Sequence, residues 1–185
     1  QLMKLAGEDG VAAYGVIMYV NFIFLATFIG YSIGSAPIVG YHFGARNHSE
    51  LKNLFQKSMR LIGGWGVLLM LLAFVLSGPL AQFFVGYDTE LLAMTRHGLR
   101  LYALAFLVSG FNIYGSAFFT ALNNGLVSAV ISFLRTLVFQ MAAVLILPRL
   151  LGLNGIWLAI LVAELLALGV TLQFFMRKKK VYHYL

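Results

Sequence analysis

The sequence predicts an all-α integral membrane bundle of about five transmembrane helices, and three observations predict it. First, Asp, Glu, Lys and Arg are absent between Asp9 and Arg46, between Arg60 and Asp88, and between Arg100 and Arg135, gaps of 36, 27 and 34 residues. About 20 apolar residues carry a helix across a bilayer core, so each gap holds a full crossing. Second, 10% of the residues are charged and 61% are hydrophobic, whereas soluble domains carry roughly 25% charged residues; the mean hydropathy is +0.90. Third, the basic residues gather at the ends of the apolar stretches. No charged or Pro/Gly/Ser-rich linker divides the chain, so residues 1–185 read as one transmembrane domain.

The elements follow in order. The first crossing is expected from Val11 to Phe43 and the second from Leu61 to Phe84, joined by a loop holding Arg46, Lys52, Lys57 and Arg60. A third runs from Leu92 to Ala121, a fourth from Gly125 to Leu147 and a fifth from Ile156 to Met176. ALNNG and PRLLGLNG join the last three, and such Asn/Gly turns force antiparallel neighbours. The first and third spans exceed the minimum length, which implies tilt, a kink or an interfacial extension. Gly30 with Gly34, and Gly40 with Gly44, form two small-xxx-small steps that suit close helix packing. Pro37 lies between them, removes a backbone hydrogen bond, and predicts a bend facing protein or water.

The net charge of +7 is a topology signal rather than a nucleic-acid one. Placing the 46–60 loop in the cytoplasm also places the tail RKKK there, since spans two to five return the chain to that side. Eight Lys/Arg then lie inside, against Lys4, Arg96, Arg100 and Arg149 outside, and basic residues favour the inside. The C-terminus is therefore expected in the cytoplasm of a plasma-membrane protein. Trp65 and Trp157 are expected in the aromatic belts at opposite faces. The chain starts with Gln, and no basic segment with a cleavage site precedes the first span, so a fragment of a longer chain is expected.

Two charges fall deep in apolar sequence. Arg135 lies about 15 Å along the fourth helix from its inner end, and Glu164 about 18 Å along the fifth. Matched depths on adjacent antiparallel helices predict that they face each other away from lipid, as a structural ion pair or as a proton or cation relay. Tyr14, Asn21, Tyr31, Asn112, Ser116 and Gln140 are the uncharged polar side chains that could line a cavity for amphipathic organic molecules. The alternative is hydrogen bonding between helices, worth about 0.6 kcal/mol on average in membrane bundles. There is no cysteine, so disulfides and thiolate metal sites are excluded. His42, His48, His97 and His183 have no partners at ligand spacing, so no metal site is expected. No Ser-His-Asp set or phosphate-binding loop is present, which disfavours an enzyme.

The segments GVAAYGVIMYV, IGSAPIVGYHFGARN, FFTALNNG and SFLRTLVFQ…LILPRLLGLNGIWLAILVAE occur in this order. Together they resemble the multidrug and toxic compound extrusion family, over nearly the whole chain. The resemblance implies twelve helices in two six-helix lobes, of which this chain supplies the eighth to twelfth: most of the C-terminal lobe. It further implies efflux of drugs or other amphipathic compounds driven by H⁺ or Na⁺, with no other cofactor. Membrane lipid, a small organic substrate and the N-terminal lobe of the same chain are the implied partners. Some members carry a coupling carboxylate on the tenth helix, whereas no acid occurs here from Leu101 to Ala121. Arg135 and Glu164 resemble positions where the family often has an Arg on the eleventh helix and an acid on the twelfth. Two other readings are a lipid or oligosaccharide flippase of the same superfamily, and a non-catalytic membrane subunit.

Overall fold

A computed structural model describes residues 1–185. It is helical throughout: α1 (Leu2–Gly44), α2 (His48–Val85), α3 (Thr89–Ala103), α4 (Phe106–Ala121), α5 (Gly125–Phe133), a π-helical stretch (Leu134–Phe139), α6 (Gln140–Leu151) and α7 (Leu153–Tyr182). Four runs are long and apolar enough to cross a membrane: Leu2–Gly44, His48–Val85, Gly125–Leu151 and Leu153–Tyr182. A fifth crossing is the pair α3 and α4, bent by 49°. The protein is therefore a multi-pass membrane bundle. Central α4 packs on α1, α2, α5 and α7.

The starts of α2, α3 and α5 are written in short polar side chains that accept the orphan N–H groups of a first turn. Asn47 accepts from the Glu50 N–H at 3.2 Å, Asp88 from Glu90 and Leu91 at 2.8 and 3.0 Å, and Asn124 from Val127 at 3.2 Å. Asn47 also corrects the expected first loop. The turn there is short, and Lys52, Lys57 and Arg60 lie on the opening turns of α2. The last connection is shorter than expected too: α6 continues to Leu151, and Gly152 alone reverses the chain at φ +56°. With ψ at −136° this lies outside the left-handed well that other residues can enter, so only glycine takes it without strain.

Two further expectations, for the tryptophans and the glycines, are changed by the structure, and the break in the α1 backbone lies away from Pro37. Pro37 keeps helical dihedrals on an exposed side of α1, whereas the backbone breaks at Ala6 and Gly7. Gly7, at φ +57°, folds residues 1–6 back toward α7, so that Leu2 and Met3 share a concavity with Val144, Ile156 and Ile160. Trp157 is fully buried rather than in a belt, and Trp65 sits midway along α2, donating to Thr27 at 2.9 Å. Of the four glycines expected to pack closely, only Gly40 meets a neighbour, where a Cβ would lie 3.6 Å from the Ala121 carbonyl oxygen. A Cβ at Gly30, Gly34 or Gly44 would meet nothing within 4 Å. One at Gly110 would lie 2.5 Å from the Phe28 ring, and one at Gly115 would lie 2.5 Å from Thr171 Cγ2.

The third span breaks at Leu104 and Ala105, where the sequence offers neither Gly nor Pro. A neighbouring helix comes close just past it. A Cβ on Gly66 of α2 would sit 2.9 Å from the Phe106 carbonyl oxygen and 3.4 Å from Leu107 Cα, so the two backbones touch where α4 begins. At the opposite end of the bundle, the α1–α2 turn, the α4–α5 turn and the end of α7 converge. Asn124 donates to the Tyr182 hydroxyl at 2.8 Å, and the Phe43 and Tyr182 rings lie 5.5 Å apart. Tyr184 folds back into this end, and burial raises its phenol pKa above the ordinary value.

Overpacking of this kind costs about 1–3 kcal/mol, so Gly110→Ala and Gly115→Ala are expected to lower the thermal unfolding midpoint of the purified protein. Gly30→Ala and Gly34→Ala, on open surface, should hold it or raise it, since alanine favours helix by up to about 1 kcal/mol. Equal losses at all four positions would contradict the packing described.

Candidate functional site

Three helical runs meet at Glu164 of α7, which is 5% exposed in the apolar interior. Arg135, on the π-helical stretch, donates from Nε to Oε1 and Oε2 at 2.8 and 3.0 Å, and from Nη2 to Oε1 at 2.7 Å. Asn112 of α4 donates from Nδ2 to Oε2 at 2.7 Å and to the Glu164 main-chain carbonyl at 2.9 Å. Thr171, two turns further along α7, donates to Asn112 Oδ1 at 2.9 Å. Thr171 thereby fixes which way the amide points, and the amide in turn holds the carboxylate toward Arg135.

This is the one ion pair in the chain. Each charge alone would cost about 2.5–3.5 kcal/mol at a bilayer centre. Here both carboxylate oxygens are engaged, and one carries the extra amide bond. The arrangement ties α4, α7 and the π stretch into one unit. Arg135 keeps Nη1 without a protein partner, on a side chain 18% exposed.

Outside this network runs a second polar feature. Ser128, Ser132, Thr136 and Gln140 follow one another at four-residue spacing along α5, the π stretch and α6. Four-residue steps drift around a helix of 3.6 residues per turn, but an i→i+5 turn holds more than four residues and reverses that drift. The π stretch therefore keeps the stripe on one side. Ser116 of α4 joins its start, at 2.8 Å from both the Ser128 and Ser132 hydroxyls, and Thr120 donates to Ser128 at 2.7 Å. Ser132 and Thr136 are exposed on the isolated lobe. Thr136 and Gln140, with Met141, Val144 and Leu145, line a concavity of about 360 Å³.

The six side chains expected to line one cavity are thus spread over several places. Asn112 is fully buried and turned to α7, while Ser116, one turn further on, is turned to α5. Tyr31 donates to Ser58 of α2 at 2.8 Å, because the Ser58 hydroxyl is already committed to the Leu54 carbonyl. Tyr14 stacks on Trp157 with ring centroids 6.3 Å apart, and Asn21 is buried on α1 away from the network. Only Ser116 and Gln140 belong to the exposed stripe. Thr171 escaped the sequence reading because nothing local marks it. The stripe left a signal in its four-residue spacing, although hydroxyl side chains in apolar sequence often just bond their own helix.

A MatE family profile matches residues 2–146. No curated protein sequence matches the chain. Among solved structures, a multidrug resistance MATE family transporter of the MOP superfamily in an outward-facing conformation superposes at TM-score 0.90 with 19% identity, over 98% of this chain and 41% of that one. The Vibrio cholerae MATE transporter VcmN in its bent form gives TM-score 0.83 and 21% identity, over 94% and 40%. A MOP superfamily transporter from Pyrococcus furiosus, described as having a binding pocket of reverse polarity that suggests a different function, gives 0.88 and 18%, over 98% and 41%. The chain thus spans about two fifths of the length of these structures, and at such identities the likeness is one of fold.

Breaking one side of a buried pair leaves a charge unpaired. Arg135→Ala and Glu164→Ala are each expected to destabilise the folded protein by about 3–5 kcal/mol, while the double variant recovers part of the loss. Thermal melts of the four proteins in one detergent measure the cycle. Additive losses would show that the two side chains do not act together.

Proposed function

The chain belongs to the MatE family of membrane transporters, and from that premise we propose that it forms most of one lobe of a cation-coupled antiporter exporting amphipathic organic compounds. The observation that carries this reading is the neutralisation of Arg135 by Glu164. A flippase for anionic head groups needs free positive charge at membrane depth. In this lobe the one deep cation is already matched by a carboxylate, and the polar surface beside it is built from hydroxyls and an amide. Such a surface suits neutral or cationic molecules with a large apolar body, held by a few polar contacts.

In this proposal the lobe moves as a body against a second lobe, and the stripe from Ser128 to Gln140 lines the path between them. Polar side chains along a membrane helix face protein or water rather than lipid, which supports that placement. Glu164 acts mainly as a docking group. Its two oxygens are held by Arg135 and Asn112, so releasing it for proton transfer would disrupt the contacts between three helical runs. H⁺ and Na⁺ are both compatible driving ions, and the cation is the only cofactor proposed. The end bearing Arg46, Lys52 and the tail of α7 faces the cytoplasm, with the protein in the plasma membrane.

Export of a labelled cationic dye by cells expressing the full-length protein tests the assignment, since a non-catalytic packing subunit would move nothing. Glu164→Gln is expected to reduce the amount of folded protein severalfold while transport per molecule stays near normal. Unchanged expression with abolished transport would make Glu164 the coupling group instead. The sequence holds no native cysteine, so a single cysteine replacing Asn53 reports topology. It should resist an impermeant thiol reagent in intact cells and react once the membrane is opened; reaction in intact cells would reverse the orientation.

A further inference from the structure

Two helix ends of the same charge are fastened together at one end of the bundle. α7 finishes with Arg177, Lys178, Lys179 and Lys180, and α2 starts just after Arg46 and carries Lys52 in its second turn. His183 takes a left-handed conformation at φ 55°, and its N–H bonds the Lys179 carbonyl at 2.8 Å, which turns the chain back on itself. The reversal buries Tyr184 completely. Its phenol donates to the Phe175 carbonyl at 2.9 Å, and its ring lies 4.9 Å from Phe55 and 5.0 Å from Phe118.

The same reversal brings the His183 ring within 4.8 Å of the His48 ring. Lys52 stands one turn along α2 from His48, and Lys179 one turn back from His183, so an aromatic clamp holds the two basic helix ends side by side. Glu50 is the only acid in this region, and it accepts from Asn53 at 3.3 Å rather than from any cation. Arg46, Lys52, Lys179 and Lys180 are all exposed. Like charges held together without acidic partners create a concentrated positive potential.

We propose that the clamp between the Tyr184 tail and α2 builds a binding site for the phosphate of anionic phospholipid head groups. The place of the site argues for lipid as the occupant. These cations sit where membrane-crossing helices end, so their aliphatic stems emerge at head-group level and their charged tips meet lipid phosphates first. The site requires only a membrane-spanning bundle and is independent of what the protein exports.

Native mass spectrometry of the full-length protein, released from detergent with phosphatidylglycerol or phosphatidylcholine, reads the site directly. The unmodified protein is expected to retain phosphatidylglycerol on the order of fivefold over phosphatidylcholine. The triple variant Lys52→Gln, Lys179→Gln, Lys180→Gln should bring that preference close to parity. Tyr184→Ala, which removes no charge, should lower it severalfold, and Tyr184→Phe, which keeps the buried ring, should largely retain it. An undiminished preference in the triple variant or in Tyr184→Ala would overturn the proposal. So would an equal loss in a control lacking the same number of charges elsewhere, Lys4→Gln, Arg96→Gln, Arg149→Gln, because bulk charge would then explain the binding. Displacement by millimolar inorganic phosphate would assign the site to free phosphate and overturn the lipid assignment.

Discussion

A carboxylate in hydrocarbon must find its partners inside the protein, and the arrangement of this bundle follows from how Glu164 does so. The guanidinium of Arg135 reaches it from one side and the amide of Asn112 from another. Their three helical runs cannot slide or rotate independently without exposing a charge to a medium that will not solvate it. Leucines alone would not impose this condition, because lipid tails are as apolar as the residues they would replace. Polar contacts therefore set the docking of the helices, and apolar side chains fill the space around them.

The remaining contacts show how close the backbones must come for that docking to exist. Gly115 lies beside Thr171, the residue that orients Asn112, and its lack of a side chain is what admits the Thr171 methyl. Gly66 performs the matching role where α2 meets the start of α4. At one end of the bundle His97 and Asn154 join α3 to α7 at 2.8 Å. At the other, Tyr182 and Tyr184 close the lobe against α1, α2 and the α4–α5 turn.

The two polar systems answer to different demands. The buried one is saturated and holds helices together. The exposed one, from Ser128 to Gln140, is partly self-bonded but open along its length, and it depends on the π stretch to stay on one side. Arg135 is held by Glu164 in the buried one, while part of its side chain remains exposed. Any change on the exposed side that pulled on Arg135 would be felt at α7 and α4.

Charge-free gaps, Asn/Gly turns and the two deep charges were legible in the sequence because each follows from a local or one-dimensional rule. A bilayer demands about 20 apolar residues per crossing, Asn/Gly turns punctuate helices, and two opposite charges at similar depth are cheapest side by side. From these came the five crossings, the asymmetry of the loops, and the nearness of Arg135 to Glu164. Tertiary structure decided the rest. Whether Asn112 faced a cavity or a carboxylate depended on Thr171, a residue 59 positions away. Whether Gly30 or Gly110 packed closely depended on which neighbour carried Phe28 and Ile62 to that face. The helix break fell at Ala6 and Gly7 rather than at Pro37, and the long basic loop became the first turns of α2. Such outcomes rest on contacts between residues far apart in the chain, and a linear pattern does not record which surfaces will meet.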